Sequence, residues 1–265
     1  MSPRPATIAG ALLALASFAL AGCAAPAPEA GAPSPSAPTA LIGTITVDAA
    51  ASLNRVLPRI AAAFERAHSG AHVRFSFGGS SALAAQIVAG TPVDVFAAAS
   101  TATMRTVQDA GRTAAPPVVI ARNRLEIVVP QGDPAHVTGL ADFADAAKTV
   151  IVCAPRVPCG AAARQVFALA GVRAEPDSYE PDVTSVLTKV RLNEADAGLV
   201  YRTDVLAAGS AVQGIPFPEA ARAITDYPIA PIAGSAEPAL AAAFVDWVVR
   251  HGAADLAAAG FLAPR

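Results

Sequence analysis

Lysine is almost missing from this chain. Only Lys148 and Lys189 carry an ammonium group among 265 residues; charged residues make up 15%, and the formal net charge is −2. No basic cluster or stripe is present, which argues against a nucleic-acid partner and against an anionic membrane surface. Signatures of catalysis are missing as well. There is no Gly-x-Ser-x-Gly elbow, no Gly-x-x-x-x-Gly-Lys phosphate loop and no dinucleotide fingerprint. His68 and His72 flank an expected helix-to-strand turn and read as solvated surface. Asp94, Asp196 and Asp204 stand alone near expected strand or helix ends, where a carboxylate is more often a cap or a tie than half of an acid–base pair.

Cysteine is scarce too, and its placement is informative. Cys23 follows a nearly unbroken apolar run, Ala6 to Ala21, that Arg4 precedes as the only charge in the first 28 residues. A positive start, an apolar stretch and small residues are the marks of an export signal. Leu20-Ala21-Gly22-Cys23 is similar to a bacterial lipoprotein signal, with residues 1–22 removed and Cys23 lipidated; an uncleaved span is the competing reading. Residues 23–42 then form an extended tether, because Pro26, Pro28, Pro33, Pro35 and Pro38 fix φ and remove donors. Every one of these readings puts the folded body outside the cytoplasm. In that oxidising setting Cys153 and Cys159, six positions apart, fit a local disulfide; two buried free thiols are the alternative.

The body reads as α/β. Strands are expected at 44–47, 71–77, 93–96, 118–121, 125–130, 149–152 and 197–201, with helices over 53–67, 81–89, 101–110, 139–147, 160–170, 182–194, 202–208, 236–250 and 252–260. Ser52 is expected to cap the first helix, which Pro58 would bend. Alternating strands and helices predict parallel sheets covered on both faces. The polar Arg122-Asn123-Arg124 marks a crossing to a second lobe, and the run from Tyr227 to Ile232 a return. Residues 43–121 with 230–265 would form lobe one, and 122–229 lobe two.

Small-residue motifs stand where helices should begin: Ala49-Ala50-Ala51-Ser52, Phe77-Gly78-Gly79-Ser80-Ser81, Val157-Pro158-Cys159-Gly160 and Pro181-Asp182-Val183. Helix starts offer free N–H groups and a partial positive charge, which suit an anion. None of these motifs holds a Lys or Arg, so the site they predict is a neutral shell of donors for a small oxyanion.

These motifs, with Gly90-Thr91-Pro92-Val93-Asp94-Val95-Phe96 and Gly198-Leu199-Val200-Tyr201, resemble in order and spacing the molybdate-binding proteins of ABC importers. The resemblance runs from about Thr44 to the C-terminal helices. It implies a type II periplasmic-binding-protein fold, two α/β lobes with the ligand in the cleft, no enzymatic activity and no cofactor. It implies a molybdate or tungstate ligand, a monomer, and a permease partner with a separate ATPase subunit. It assigns side-chain donors to Ser52, to Ser80 or its neighbour Ser81, and to Tyr201, and backbone donors to Cys159 and Val183. Metal would be bound only as the oxyanion. Cys159 departs from the small residue usual there, which a backbone donor tolerates. Sulfate, with shorter bonds, would be left with stretched hydrogen bonds in a cavity sized for molybdate. The rivals are the same fold tuned to sulfate, an exported hydrolase using Ser52 or Cys159 as nucleophile, and a purely structural surface lipoprotein.

Overall fold

The computed structural model describes residues 41–265. The expected signal, the lipidation of Cys23 and nearly all of the tether lie outside the described residues. The described residues begin with β1 (Ile42–Ala50), a 3-10 turn (Ala51–Leu53), α1 (Val56–Ala67), β2 (Gly70–Gly78), α2 (Ser80–Val88), β3 (Val95–Ala97) and α3 (Thr101–Asp109). Next come β4 (Val118–Asn123), β5 (Leu125–Pro130), β6 (Val150–Cys153), α4 (Pro158–Ala170), β7 (Ser178–Glu180), α5 (Val183–Arg191), β8 (Ala197–Tyr201), α6 (Arg202–Ala208) and β9 (Val212–Ile215). β10 (Thr225–Pro231), α7 (Pro238–His251) and α8 (Ala253–Ala258) complete it.

Among the described residues the strands form two sheets, ordered β2-β1-β3-β10-β4 and β7-β6-β8-β5-β9. The two orders follow one plan, although the sequence shows no repeat. In each sheet four of the five strands run in one direction and the fourth in order, β10 or β5, runs against them. The expectation of parallel sheets is therefore corrected to mixed ones. The reversed strands, β10 and β5, follow the passages between lobes and enter their sheets from the opposite end. The forward passage runs through Arg124, between β4 and β5, and the return lies between β9 and β10. All of β10 lies in the first sheet, so the return comes before Thr225.

Helix α1 shows why the first lobe holds together. Val56, Leu57, Ile60, Ala61 and Phe64 recur at helical spacing and are all buried. Phe64 meets Phe244 of α7 edge-on, ring centroids 5.4 Å apart. Fully burying each large apolar side chain stabilises by roughly 1.5–3 kcal/mol before entropy is set against it. The helix starts at Val56, not beside Ser52, and Ser52 makes no cap; it lies in the preceding 3-10 turn. Pro58 thus falls in the first turn, where its absent N–H removes no intrahelical bond. The expected 139–147 helix is a 3-10 turn over Leu140–Ala144. There Asp142 accepts from the backbone N–H groups of Thr138 and Gly139 and pairs with Lys148.

This architecture fixes where helix starts gather. Ala50 of β1 lies in register with Gly78 of β2. Ser52 and Ser80 each come two residues past that pair. Cys153 pairs in register with Glu180 in the second sheet, so α4 and α5 begin side by side. Tyr201 ends β8. The C-terminal ends of parallel strands are where open α/β sheets bind ligands.

Candidate functional site

One small cavity lies where these strand ends meet. It is lined by Ala50, Ala51, Ser52, Gly78, Gly79, Ser80 and Ala99 from the first lobe, and by Val157, Pro158, Cys159, Asp182, Val183 and Tyr201 from the second. All five residues expected to bind the ligand are on its wall. Ser81 is not; its hydroxyl donates across the cleft to the carbonyl of Arg156, at 3.0 Å. The space open to an oxygen-sized centre is about 20 Å³. A sphere of that volume has a radius of roughly 1.7 Å, the scale of a metal–oxygen bond in a tetrahedral oxyanion, and a little more than one water requires.

The wall is rich in donors and holds no Lys or Arg. Ser80 is the first residue of α2, Cys159 the second of α4 and Val183 the first of α5. Their N–H groups precede the first intrahelical acceptor, so helix geometry leaves them free. Asp182 is the one carboxylate on the wall. It caps α5 by accepting from the N–H of Ser185 at 3.0 Å.

The hydroxyls are arranged with the same bias. Ser80 Oγ accepts from the N–H of Ala99 at 3.0 Å, which leaves its own proton to be donated. Ser52 Oγ lies 2.8 Å from the hydroxyl of Tyr227. The Tyr201 hydroxyl is buried and has no hydrogen-bond partner among the described residues. Burial pushes this phenol well above its ordinary range, so it is a neutral donor at any physiological pH. An orphaned buried donor costs about 1–3 kcal/mol. On the wall of a cavity, it is the group that a ligand oxygen would satisfy.

The two lobes touch around the cavity. A Cβ at Gly79 would stand 2.5 Å from the carbonyl oxygen of Pro181. With the Ser81–Arg156 bond, this contact shows the cleft shut. At Gly79 the close approach that a side chain would block is therefore lobe to lobe. Cys153 and Cys159 are joined in a disulfide, Cα atoms 5.7 Å apart. The loop it closes is packed so tightly that a Cβ at Gly160 would run into the carbonyl of Ala154.

The family model for bacterial extracellular solute-binding proteins matches residues 45–262. The chain belongs to this family. Among its relatives, the molybdate-binding protein ModA of Mycobacterium tuberculosis H37Rv is 41% identical over 222 residues, 83% of this chain and 85% of that protein. The solved periplasmic molybdate-binding protein of Azotobacter vinelandii superposes with a TM-score of 0.70 at 23% identity, covering 83% of this chain and all of that one. The sulfate-binding protein SubI of M. tuberculosis H37Rv superposes with 0.68 at 18% identity, covering 82% and 86%. At these identities the superpositions establish the two-lobed α/β fold of periplasmic binding proteins.

In this solute-binding protein, Tyr227 and Asn123 serve the site and escaped the sequence reading, while Asp204 is the cap or tie expected of it. Tyr227, buried on β10, reaches Ser52 from 175 positions away. Asn123, at the end of β4, donates to Thr203 Oγ1 at 2.8 Å and to the Tyr227 hydroxyl at 3.4 Å. Asp204 accepts from the N–H of Tyr201 at 3.0 Å. Burial, reinforced by the charge of Asp182 and offset in part by that bond, raises its pKa to about 7. Two spacings in the first lobe match metal-ligand pairs, Glu65-x-x-His68 and His68-x-x-x-His72. Neither is assembled for a metal: Glu65 accepts from the N–H of Val73, and His68 lies 4.7 Å from the Phe64 ring. Among the described residues no group of three or more His, Cys, Asp or Glu is placed to hold a metal ion.

Proposed function

We propose that this chain captures molybdate, and tungstate alongside it, outside the cytoplasm and hands it to an ABC permease driven by a separate ATPase subunit. The observation that carries this reading is the cavity of about 20 Å³ walled by neutral donors, with the Tyr201 hydroxyl unpartnered beside it. The 41% identity to a protein named as molybdate-binding supports the choice of oxyanion. Ser52, Ser80 and Tyr201 donate through hydroxyls, and Cys159 and Val183 through backbone N–H groups. The five expected donors give a protonated anion no acceptor, so they favour fully ionised ones; the Asp182 carboxylate on the same wall accepts from the N–H and hydroxyl of Ser185 instead. Molybdate and tungstate have longer metal–oxygen bonds than sulfate; a shell set for them leaves sulfate with unmade hydrogen bonds.

Closure of the lobes on the ligand is the signal passed to the permease. The chain binds without catalysing a reaction: the Ser52 hydroxyl is paired with the Tyr227 phenol, and the sulfur of Cys159 is engaged with Cys153. It uses no cofactor and acts as a monomer. Residues 1–22 act as the export signal, and lipidated Cys23 with the tether to residue 42 holds the body at the membrane. No helix among the described residues is long and apolar enough to cross a membrane.

Sulfate is the second reading, favoured by the likeness of fold to SubI. A melting curve with and without molybdate tests the first. At a thousandfold excess over Kd the ligand adds about 4 kcal/mol, which raises Tm by roughly 8–16 °C in a domain of this size. An unchanged Tm at millimolar molybdate would sink the proposal.

A further inference from the structure

We propose that Tyr227 is a positioning and specificity-determining residue: it donates to Ser52 Oγ and so obliges the Ser52 hydroxyl to donate its own proton into the cavity. This rests on the oxyanion reading of the site and deepens it.

The argument is one of hydrogen-bond direction. Asn123 Oδ1 accepts from the N–H of Arg124 at 3.0 Å, which fixes the amide with its nitrogen turned the other way. That nitrogen has two protons. One goes to Thr203 Oγ1 at 2.8 Å and the other toward the Tyr227 hydroxyl at 3.4 Å. Tyr227 therefore has an acceptor position filled while its own proton needs a partner. The neighbour within reach is Ser52 Oγ, at 2.8 Å. When Tyr227 donates there, Ser52 Oγ acts as acceptor toward Tyr227 and its one proton must leave in another direction. Ser52 is on the cavity wall, and an oxyanion there is the acceptor that completes the chain.

The opposite direction, Ser52 donating to Tyr227, would strand the tyrosine proton in a fully buried setting and aim serine lone pairs at the ligand. An anion in the cavity selects against it. Burial and the neighbouring Tyr201 also keep the Tyr227 phenol protonated. On the other side of the cavity the N–H of Ala99 fills Ser80 Oγ in the same manner. Both serines are thus biased to give protons, and on the Ser52 side the discrimination against protonated anions is set one residue behind the wall.

Tyr227→Phe keeps the ring, its edge-on contacts with Tyr201 and Phe261, and the Ser52 side chain, but frees Ser52 to accept. Calorimetry of the unchanged protein, Tyr227→Phe, Ser52→Ala and the double variant, each with molybdate, tungstate, sulfate and hydrogen phosphate, tests this. The effect is read on whichever dianion the unchanged protein binds tightest. Tyr227→Phe should weaken it roughly tenfold and shrink the preference over hydrogen phosphate by a similar factor. In the Ser52→Ala background the same change should cost less than about twofold, since the tyrosine acts through the serine. Asn123→Leu, which breaks the chain one step further back, should shift the preference in the same direction, and melting curves without ligand check that each fold is kept. Equal losses in both backgrounds, or an unchanged preference over hydrogen phosphate, would overturn the role of Tyr227. Sulfate binding tightest, with the Tyr227 effect intact, would overturn the choice of molybdate and leave the positioning role standing. Binding of none of the four would overturn both.

Discussion

Replacing Gly79 with alanine should keep the fold and cripple binding. Its backbone sits at φ −62° and ψ 121°, a conformation open to any residue, so the unliganded protein has no reason to lose stability. The added methyl has to meet the carbonyl oxygen of Pro181 on the opposite lobe at 2.5 Å. An ordinary carbon–oxygen contact is about 3.3 Å, so the lobes must part by roughly 0.8 Å at that point. Gly79 adjoins Ser80, and Pro181 is two residues from Val183, so the gap opens beside the cavity. A ligand still held by Ser52 and Ser80 would see the donors of the second lobe, Cys159, Val183 and Tyr201, retreat by a similar amount. Hydrogen bonds near 2.8 Å would stretch to about 3.6 Å, beyond useful range. Each bond to a charged group is worth roughly 1.5 kcal/mol or more; losing two of three costs about 3 kcal/mol, or a hundredfold in Kd. Gly139→Ala is the control, because the residue is not on the cavity wall and a Cβ there meets nothing within 4 Å. Titration calorimetry with molybdate on both variants, with melting curves of the unliganded forms, reads the difference. A Gly79→Ala affinity within threefold of the unchanged protein would refute the steric reasoning.

Ser80→Ala should cost far more affinity than Ser81→Ala in the same titration, because only Ser80 lines the cavity while Ser81 donates to Arg156; equal losses would contradict the assignment. Removing both Cys153 and Cys159 as alanines opens a loop with a sequence separation of 6. This should lower the unfolding free energy in urea by about 2 kcal/mol, yet weaken molybdate less than Ser52→Ala does, since the Cys159 donor is backbone. Asp204 has its pKa raised by burial from an ordinary 3.8 to about 7. Between those values the folded form holds a proton that the unfolded form has released, so this residue's contribution to stability declines as pH rises from about 4 to about 7. Asp204→Asn should therefore gain in Tm relative to the unchanged protein as pH is raised from 5 to 8; a difference constant with pH would count against a buried, proton-holding carboxyl.

The candidate site was legible where its chemistry is local. Ser52, Ser80, Cys159 and Val183 stand in motifs where helices were expected to begin, and a helix start announces its free N–H groups in sequence; the role of Tyr201 came only with the resemblance to molybdate-binding proteins. What supports the site is not local. Tyr227 reaches Ser52 across 175 positions and Asn123 reaches Tyr227 across 104, and no spacing rule links such partners. Strand direction was hidden for a similar reason. β10 and β5 look like any other β-branched or apolar run, and only the passages between lobes reverse them. Ser52 was misread as a cap because a serine before an apolar-periodic run usually is one; here a 3-10 turn intervenes and the hydroxyl is held by Tyr227 instead.

The central claim is that a neutral shell closes on an oxyanion of a particular size. Parallel calorimetric titrations of the mature chain with molybdate, tungstate and sulfate at neutral pH test it most directly. Molybdate and tungstate should bind with similar, high affinity and sulfate at least a hundredfold more weakly, the equivalent of about 3 kcal/mol in lost hydrogen bonds. Sulfate binding as tightly as molybdate would contradict the account.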